Sequence, residues 1–80
     1  VQMEEEVTEI DTKGLRCPLP VLRARKAIAS LPSGALLRVL SSDPDSLQDF
    51  RAWCETTGHE LLQQEEGEGG LLIHLIRKVG

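Results

Sequence analysis

The run from Gly14 to Pro20 contains the residue types best suited to chemistry in this chain. It reads Gly-Leu-Arg-Cys-Pro-Leu-Pro, with Cys17 at its centre and a helix-compatible stretch after it. Pro18 suits the first position of a helix, because its fixed φ is already helical and its missing N–H would have no partner there. The spacing therefore predicts Cys17 at the N-cap, with its sulfur facing unbonded N–H groups and the positive end of the helix dipole.

This position predicts a thiol that is somewhat more acidic than an ordinary cysteine. The dipole contributes about 0.3–1 kcal/mol, which corresponds to roughly half a pKa unit. Arg16 is adjacent to the cysteine, and Arg23, Arg25 and Lys26 follow one or two helical turns later. Their positive charge would favour the thiolate further. We therefore expect a moderately activated nucleophile, and the alternative is a buried, unreactive cysteine that precedes a helix.

Composition restricts the classes of protein to which the chain can belong. It has 80 residues, enough for one small domain, and a formal net charge of −4. Direct binding to nucleic acid would require a basic surface, no apolar run is as long as a membrane span, and two cysteines do not make a secreted disulfide framework. We expect a single cytoplasmic domain over residues 1–80, monomeric, with residues 1–6 flexible and with no contact to membranes or directly to nucleic acid.

Other reactive constellations are not supported by the spacing of the cysteines and histidines. There is no Cys-x-x-Cys or His-x-x-x-His pair, so we predict neither a metal site nor a cofactor. A hydrolytic Cys-His pair would also need an orienting group and an oxyanion hole, which no motif indicates. We expect His59 in an exposed turn, His74 half-exposed on a strand, and Cys54 in the core. A redox pair between Cys17 and Cys54 stays open.

The elements that would position Cys17 follow from the hydrophobic periodicity. Strands are predicted over residues 7–12, 35–40, 60–65 and 71–78, and helices over 18–31 and from Pro44 to a stop at Gly58, with Asp43 as the second N-cap. The order is β-α-β-α-β-β. Right-handed crossovers place both helices on one face, which predicts an α+β two-layer sandwich with a mixed four-stranded sheet. The loops after the first two strands would bring Cys17 and Asp43 to one edge.

The first helix is predicted to be amphipathic. Its core face is formed by five apolar residues, Val21, Ala24, Ala27, Ile28 and Leu31. Arg23 and Lys26 lie on the opposite face, and Leu19 and Leu22 fall on or beside it. An exposed docking surface next to the cysteine is one interpretation, and ordinary isolated surface leucines are the other.

The complete motif resembles that of the TusA/SirA-like sulfur carrier proteins. An acidic residue and a glycine, here Asp11 and Gly14, precede Cys17-Pro18-Leu19-Pro20. The resemblance extends from about Thr8 to Lys78 and includes the helix start at Asp43-Pro44. It implies the two-layer fold predicted above and an activity as a sulfurtransferase without a cofactor.

The resemblance also implies roles for individual residues. Cys17 would accept a persulfide sulfur from a cysteine desulfurase or a rhodanese-like donor and pass it to a DsrE-like acceptor, for tRNA 2-thiolation or for sulfur oxidation. Gly14, Pro18 and Pro20 would shape the site. Partner docking or stabilisation of the persulfide anion would fall to the basic residues Arg16, Arg23 and Lys26. Leu19 and Leu22 join them as docking candidates from the helix pattern described above. The alternative function is a non-catalytic interaction or regulatory module that docks through its first helix.

Overall fold

A four-stranded mixed sheet carries two helices on one of its faces. The computed structural model describes residues 7–80, and the expectation for residues 1–6 lies outside them. The elements are β1 (Val7–Asp11), α1 (Leu19–Ala29), β2 (Leu36–Ser41), α2 (Ser46–Thr57), β3 (Glu60–Glu66), a 3-10 turn (Glu68–Gly70) and β4 (Leu72–Arg77). The predicted β-α-β-α-β-β order and the two-layer α+β architecture are confirmed.

The sheet has the strand order β1-β2-β4-β3. β1 and β2 are parallel, and β4 pairs antiparallel with both β2 and β3. Because parallel neighbours need a crossover, α1 connects β1 to β2 across one face, whereas β3 and β4 form a hairpin. The β1 and β2 carboxyl ends therefore lie side by side, and the loops that lead into the two helices leave from the same edge. Within residues 7–80, neither helix combines the length and the apolar composition that a transmembrane segment requires.

The core lies between the helices and the covered face of the sheet. Its buried residues come from both helices and from the two central strands: Ala24, Ile28, Leu37, Val39, Phe50, Cys54 and Ile76. Each large apolar side chain buried in this way contributes about 1.5–3 kcal/mol to folding. Cys54 is 5% exposed, which confirms its predicted place in the core. The predicted core face of α1 is also correct, since Val21, Ala27 and Leu31 pack against this cluster.

The start of α1 differs from the sequence prediction. The helix begins at Leu19 and Pro18 occupies the flanking cap position, so Cys17 is not the N-cap. Cys17 and Pro18, joined by a cis peptide bond, form a turn in which the Leu19 N–H donates to the Arg16 carbonyl at 2.8 Å. Because the helix begins one residue later than predicted, Cys17 lies two positions before the first helical residue instead of one. Pro20 lies inside the first turn, where a missing N–H costs nothing, and its ring is buried.

The start of α2 is also later than predicted. The helix begins at Ser46, with Asp45 in the cap position, and not at Pro44. The N–H of Ser46 donates to the Asp43 carbonyl at 2.9 Å, and the N–H of Asp45 donates to the Asp43 side chain at 3.0 Å. Asp43 therefore closes a turn ahead of the helix and does not cap the helix directly. Its second carboxylate oxygen is left available for another partner.

Candidate active site around Cys17

Cys17 is exposed at the edge of the sheet where the predicted loops meet. It lines an open cleft of about 410 Å³ between the loop after β1 and the loop after β2. The other residues of the cleft are Gly14, Leu15, Arg16, Ser42, Asp43, Pro44 and Asp45. The topology thus brings Cys17 and Asp43 together, as the sequence predicted, and it leaves the sulfur accessible from solvent.

Asp43 fixes the backbone of Cys17. Its Oδ2 atom accepts a hydrogen bond from the Cys17 N–H at 2.6 Å, while Oδ1 accepts from the Asp45 N–H at 3.0 Å. Hydrogen bonds from a backbone N–H to a carboxylate are charge-assisted and therefore strong. One carboxylate consequently joins the β1–α1 loop to the start of α2, a role that the assignment of Asp43 as an N-cap did not include.

Gly14 shapes the same loop from its other end. Its φ is +85°, in the left-handed region that favours glycine, and its N–H donates to the Ser42 hydroxyl at 2.8 Å. The loop that carries Cys17 is therefore attached to the β2–α2 loop at two points, through Ser42 and Asp43. No pattern in the sequence indicated that Ser42 would contact this loop.

The charges around the sulfur are the opposite of those predicted. A hydrogen bond to the Asp49 carboxylate, partial desolvation and the negative charges of Asp49, Asp43 and Asp45 together raise the pKa of the Cys17 thiol from 9.0 to about 11. The expectation of a thiol more acidic than usual is therefore wrong. The acidic start of α2 outweighs the neighbouring Arg16, and Cys17 rests as a protonated thiol at neutral pH.

Asp49 is a site residue that sequence reasoning missed. It lies in the first turn of α2, and its carboxylate is the largest cause of the raised pKa of the Cys17 thiol. Its Oδ2 atom is buried and has no N–H or O–H partner among residues 7–80. The sequence feature that could have indicated this is the group of three aspartates at positions 43, 45 and 49. They lie at the start of the second helix, which was predicted to reach the same edge of the sheet as Cys17.

A buried histidine supports the loop that holds Asp43. His74 was expected to be half-exposed, but it is fully buried and stacks on Phe50 with ring centroids 4.4 Å apart. Burial lowers the pKa of His74 to about 4, so the ring is neutral at neutral pH. The expectation is wrong because the side chains of β4 point alternately to the two faces of the sheet. His74 lies on the covered face together with Leu72 and Ile76.

The hydrogen bonds of His74 extend to the cleft. Nδ1 lies 3.1 Å from the Gln64 amide nitrogen, which also donates to the Leu47 carbonyl, so Nδ1 accepts and Nε2 carries the proton. Nε2 then donates to the Ser46 hydroxyl at 3.0 Å, and that hydroxyl donates to the Asp43 carbonyl at 2.6 Å. A continuous hydrogen-bonded path therefore runs from β3 and β4 to the residue that holds Cys17.

The residues predicted to dock a partner are divided between the cleft and other parts of the surface. Arg16 lines the cleft itself. Arg23 and Lys26 are exposed but line a separate groove between α1 and β1, so they do not face the sulfur. Leu19 and Leu22 are 44% and 48% exposed, as their predicted position on or beside the polar face requires.

The remaining reactive side chains lie outside the cleft. His59 is half-buried, and not exposed as expected, because its ring packs against Trp53 and its Nδ1 accepts from the Val79 N–H at 3.0 Å. Cys54 is a free thiol in the core. Among residues 7–80 no group of three or more His, Cys, Asp or Glu side chains is arranged to hold a metal ion. Cys17 is the exposed free thiol that lines the cleft.

Known proteins resemble this chain in both sequence and fold. The family described as Sulfurtransferase TusA matches residues 8–78. A sulfur carrier protein TusA of Allochromatium vinosum is 47% identical over 70 residues, covering 88% of this chain and 91% of that protein. A putative sulfur carrier protein of Neisseria meningitidis serogroup A is 48% identical over 60 residues, covering 75% and 81% of the two chains. The crystal structure of a SirA-like protein from Desulfitobacterium hafniense superimposes with a TM-score of 0.81 at 30% identity, covering 94% of this chain and all of the other.

Proposed function

This chain belongs to the TusA family of sulfur carriers, and we propose that it carries sulfur as a persulfide on Cys17. The observation that supports this assignment best is the position of the sulfur. Cys17 is exposed in an open cleft, and its backbone is held by Asp43 at 2.6 Å. A carrier must present one sulfur atom in a fixed place to two proteins in turn, and this cleft provides such a place.

The proposed uptake step is a sulfur transfer without net oxidation. The Cys17 sulfur attacks the terminal sulfur of a persulfide on the donor, a bond forms between these two atoms, and the donor's sulfur–sulfur bond breaks. The electron pair of the broken bond stays on the donor sulfur, which leaves as a thiolate and is protonated. The thiol proton of Cys17 is released, and delivery to the acceptor repeats the exchange in the opposite sense.

Cysteine desulfurases and rhodanese-like proteins are the proposed donors, because both carry sulfur as a cysteine persulfide. A DsrE-like protein is the proposed acceptor, and the sulfur would serve tRNA 2-thiolation or sulfur oxidation. We propose no direct contact with nucleic acid, since the formal net charge of −4 does not favour binding to phosphates. The protein is proposed to act in the cytoplasm as a monomer.

Partner docking is assigned to the exposed face at the start of α1. Leu19 and Leu22 expose apolar surface within two turns of the sulfur, and Arg16 adds a positive charge at the cleft. Arg23 and Lys26 extend the basic surface along the helix. A partner seated on this face would place its own reactive cysteine at the open side of the cleft.

The second candidate function, an interaction module without sulfur chemistry, is favoured by the same exposed leucines. A single experiment separates the two. A desulfurase and radiolabelled cysteine are used to load the protein, and the label retained by the wild type is compared with that retained by the Cys17→Ser and Leu22→Glu variants. The carrier function requires that Cys17→Ser abolish labelling. The interaction module instead requires that Leu22→Glu weaken binding to the desulfurase and that Cys17→Ser leave this binding nearly intact. Labelling of Cys17→Ser at the wild-type rate would refute the carrier function.

A further inference from the structure

We propose that Ser46 and His74 are positioning residues of sulfur transfer, because together they hold the backbone of Asp43, the residue that fixes Cys17. This inference rests on the proposed carrier function. The carbonyl of Asp43 accepts a hydrogen bond from the Ser46 hydroxyl at 2.6 Å, and His74 Nε2 lies 3.0 Å from that hydroxyl. The carboxylate of the same Asp43 accepts from the Cys17 N–H at 2.6 Å. Two buried side chains therefore act on Cys17 through one intermediate residue.

The direction of each hydrogen bond in this network is fixed from its outer end. Arg51 can only donate, so the Gln64 Oε1 atom, 2.9 Å from Arg51 Nε, is an acceptor. The amide nitrogen of Gln64 then faces His74 Nδ1 at 3.1 Å and donates to it. His74 Nε2 consequently carries the proton and donates to the Ser46 hydroxyl, whose own proton goes to the Asp43 carbonyl. The network therefore has a single arrangement, with a neutral His74 in one tautomer.

The network occupies a place in the core that packing alone could fill. Ser46 and His74 are both 0% exposed, and the ring of His74 stacks on Phe50. Replacing two buried hydrogen-bonded groups by apolar groups of the same shape costs a protein little stability, so folding alone does not call for this pair. A fully bonded buried network does make one local arrangement rigid. Here the residue that it makes rigid is Asp43.

The other two buried polar side chains of residues 7–80, Thr12 and Ser41, support the same two loops. The Ser41 hydroxyl accepts from the Asp43 N–H at 3.2 Å, so the backbone of Asp43 is held by a buried serine on each side. The Thr12 hydroxyl donates to the Leu40 carbonyl, where β1 leads into the loop that carries Cys17. The buried polar side chains of this part of the chain are thus concentrated at the junctions that place the sulfur.

Sulfur transfer depends on this placement because the reaction joins two sulfur atoms held on different proteins. Cys17 is exposed, so its position comes from the backbone contacts of its loop and not from packing of its side chain. A displacement of about 1 Å in the reacting atoms can slow a reaction about 100-fold. No proton or electron passes through the network, and the bonds that form and break are those of the uptake step described above.

The kinetic test separates the rate of the chemical step from donor binding. Single-turnover uptake from a persulfide-loaded cysteine desulfurase is measured at increasing donor concentration, under conditions in which each variant is folded. Ser46→Ala removes the hydroxyl, and His74→Phe keeps a ring that can stack on Phe50 but removes both hydrogen bonds. We expect the maximal rate to fall about ten-fold or more in each. The donor concentration at half-maximal rate should not change, because the docking face on α1 is intact.

Two further variants distinguish positioning from stability. His74→Gln keeps an amide N–H that can donate to Ser46, so it should recover most of the maximal rate that His74→Phe loses. Cys54→Ala weakens the same core without touching the network and should transfer sulfur at the wild-type rate. Equal rates for His74→Gln and His74→Phe, or a loss in Cys54→Ala as large as in Ser46→Ala, would overturn the proposal. Ser46→Ala removes a single oxygen atom and keeps the test available if His74→Phe does not fold.

The amide proton of Cys17 reports the position of the cysteine without any sulfur donor. Its hydrogen bond to a carboxylate is charge-assisted and moves its NMR resonance downfield. The resonance should move upfield in Ser46→Ala and His74→Phe and stay in place in Cys54→Ala. An unchanged Cys17 resonance in Ser46→Ala, or wild-type maximal rates in Ser46→Ala and His74→Phe, would refute the positioning role. Failure of the wild type to take up any sulfur would instead refute the carrier function on which the proposal rests.

Discussion

The Asp43 carboxylate binds the backbone N–H of Cys17 at 2.6 Å and so joins the two loops that form the cleft. The two residues are 26 positions apart in sequence and meet because β1 and β2 are parallel neighbours. The same carboxylate also accepts from the Asp45 N–H, so the start of α2 and the cysteine share one anchor. The position of the Cys17 sulfur therefore depends on the junction between β2 and α2.

Replacement of Asp43 should uncouple the two loops. Asp43→Ala leaves the N–H groups of Cys17 and Asp45 without their acceptor, and we expect the free energy of unfolding to fall by about 1–2 kcal/mol. Sulfur uptake should also slow, because the sulfur is no longer held in place. Urea denaturation and single-turnover uptake measure the two effects. Asp43→Asn keeps one acceptor oxygen, so its free energy of unfolding should fall less. Equal stability of Asp43→Ala and wild type would show that the Asp43 carboxylate does not hold the two loops together.

Acidification should destabilise the protein through His74. The unfolded residue titrates near 6.5, whereas burial lowers the pKa of folded His74 to about 4. Between these values the unfolded state binds more protons, so the contribution of His74 to stability is present above pH 6.5 and is lost as the pH falls towards 4.

The measurement is urea denaturation of wild type and His74→Gln from pH 7.5 to pH 4. The difference in the free energy of unfolding between the two proteins should shrink on acidification, with a slope of at most about 1.4 kcal/mol per pH unit. Carboxylates titrate in both proteins and cancel in the difference. A difference that is constant with pH would show that His74 does not titrate as its burial requires.

Cys54 should matter for stability and not for sulfur transfer. Cys54→Ser places a hydroxyl in the core and should reduce the free energy of unfolding by about 1–3 kcal/mol. Cys54→Ala introduces no polar group and serves as the comparison. Both variants, assayed under conditions where they are folded, should take up sulfur at the wild-type rate. Loss of uptake in a folded Cys54 variant would indicate that Cys54 takes part in the reaction.

The docking face can be tested apart from the chemistry. Leu22 is 48% exposed, so Leu22→Glu should change stability by no more than about 0.5 kcal/mol. It should raise the KM for the sulfur donor without changing the rate at which iodoacetamide modifies Cys17. Leu62→Glu, at a leucine that is 40% exposed on β3, is the matched control. Equal KM values for Leu22→Glu and Leu62→Glu would place the docking face elsewhere.

The fold was largely predictable from the sequence, because each strand and helix has a clear periodicity. The predicted strand boundaries agree with the observed ones to within one residue. The parallel pairing of β1 with β2 follows from the order of the elements. The helix starts were less predictable. Pro18 and Pro44 suit a first helical position, but turns closed by hydrogen bonds to the Arg16 and Asp43 carbonyls move both helices later in the chain.

The electrostatics of the site could not be predicted from neighbours in sequence. Arg16 is adjacent to Cys17, whereas Asp49 and Asp43 reach it only through the tertiary fold and reverse the expected shift of its pKa. The burial of His74 was available from the alternation of β4, since Leu72 and Ile76 lie on its face. Its partners Gln64 and Ser46 come from two other elements, and no local pattern connects them.

The most direct test of the carrier function is the mass of the protein after incubation with a cysteine desulfurase and cysteine. Intact-protein and peptide mass spectrometry should show the gain of one sulfur atom on the peptide that contains Cys17. The added sulfur should be removable by a thiol reductant and absent from the Cys17→Ser variant. No gain of mass, or a gain on Cys54 alone, would contradict the assignment of Cys17 as the persulfide carrier.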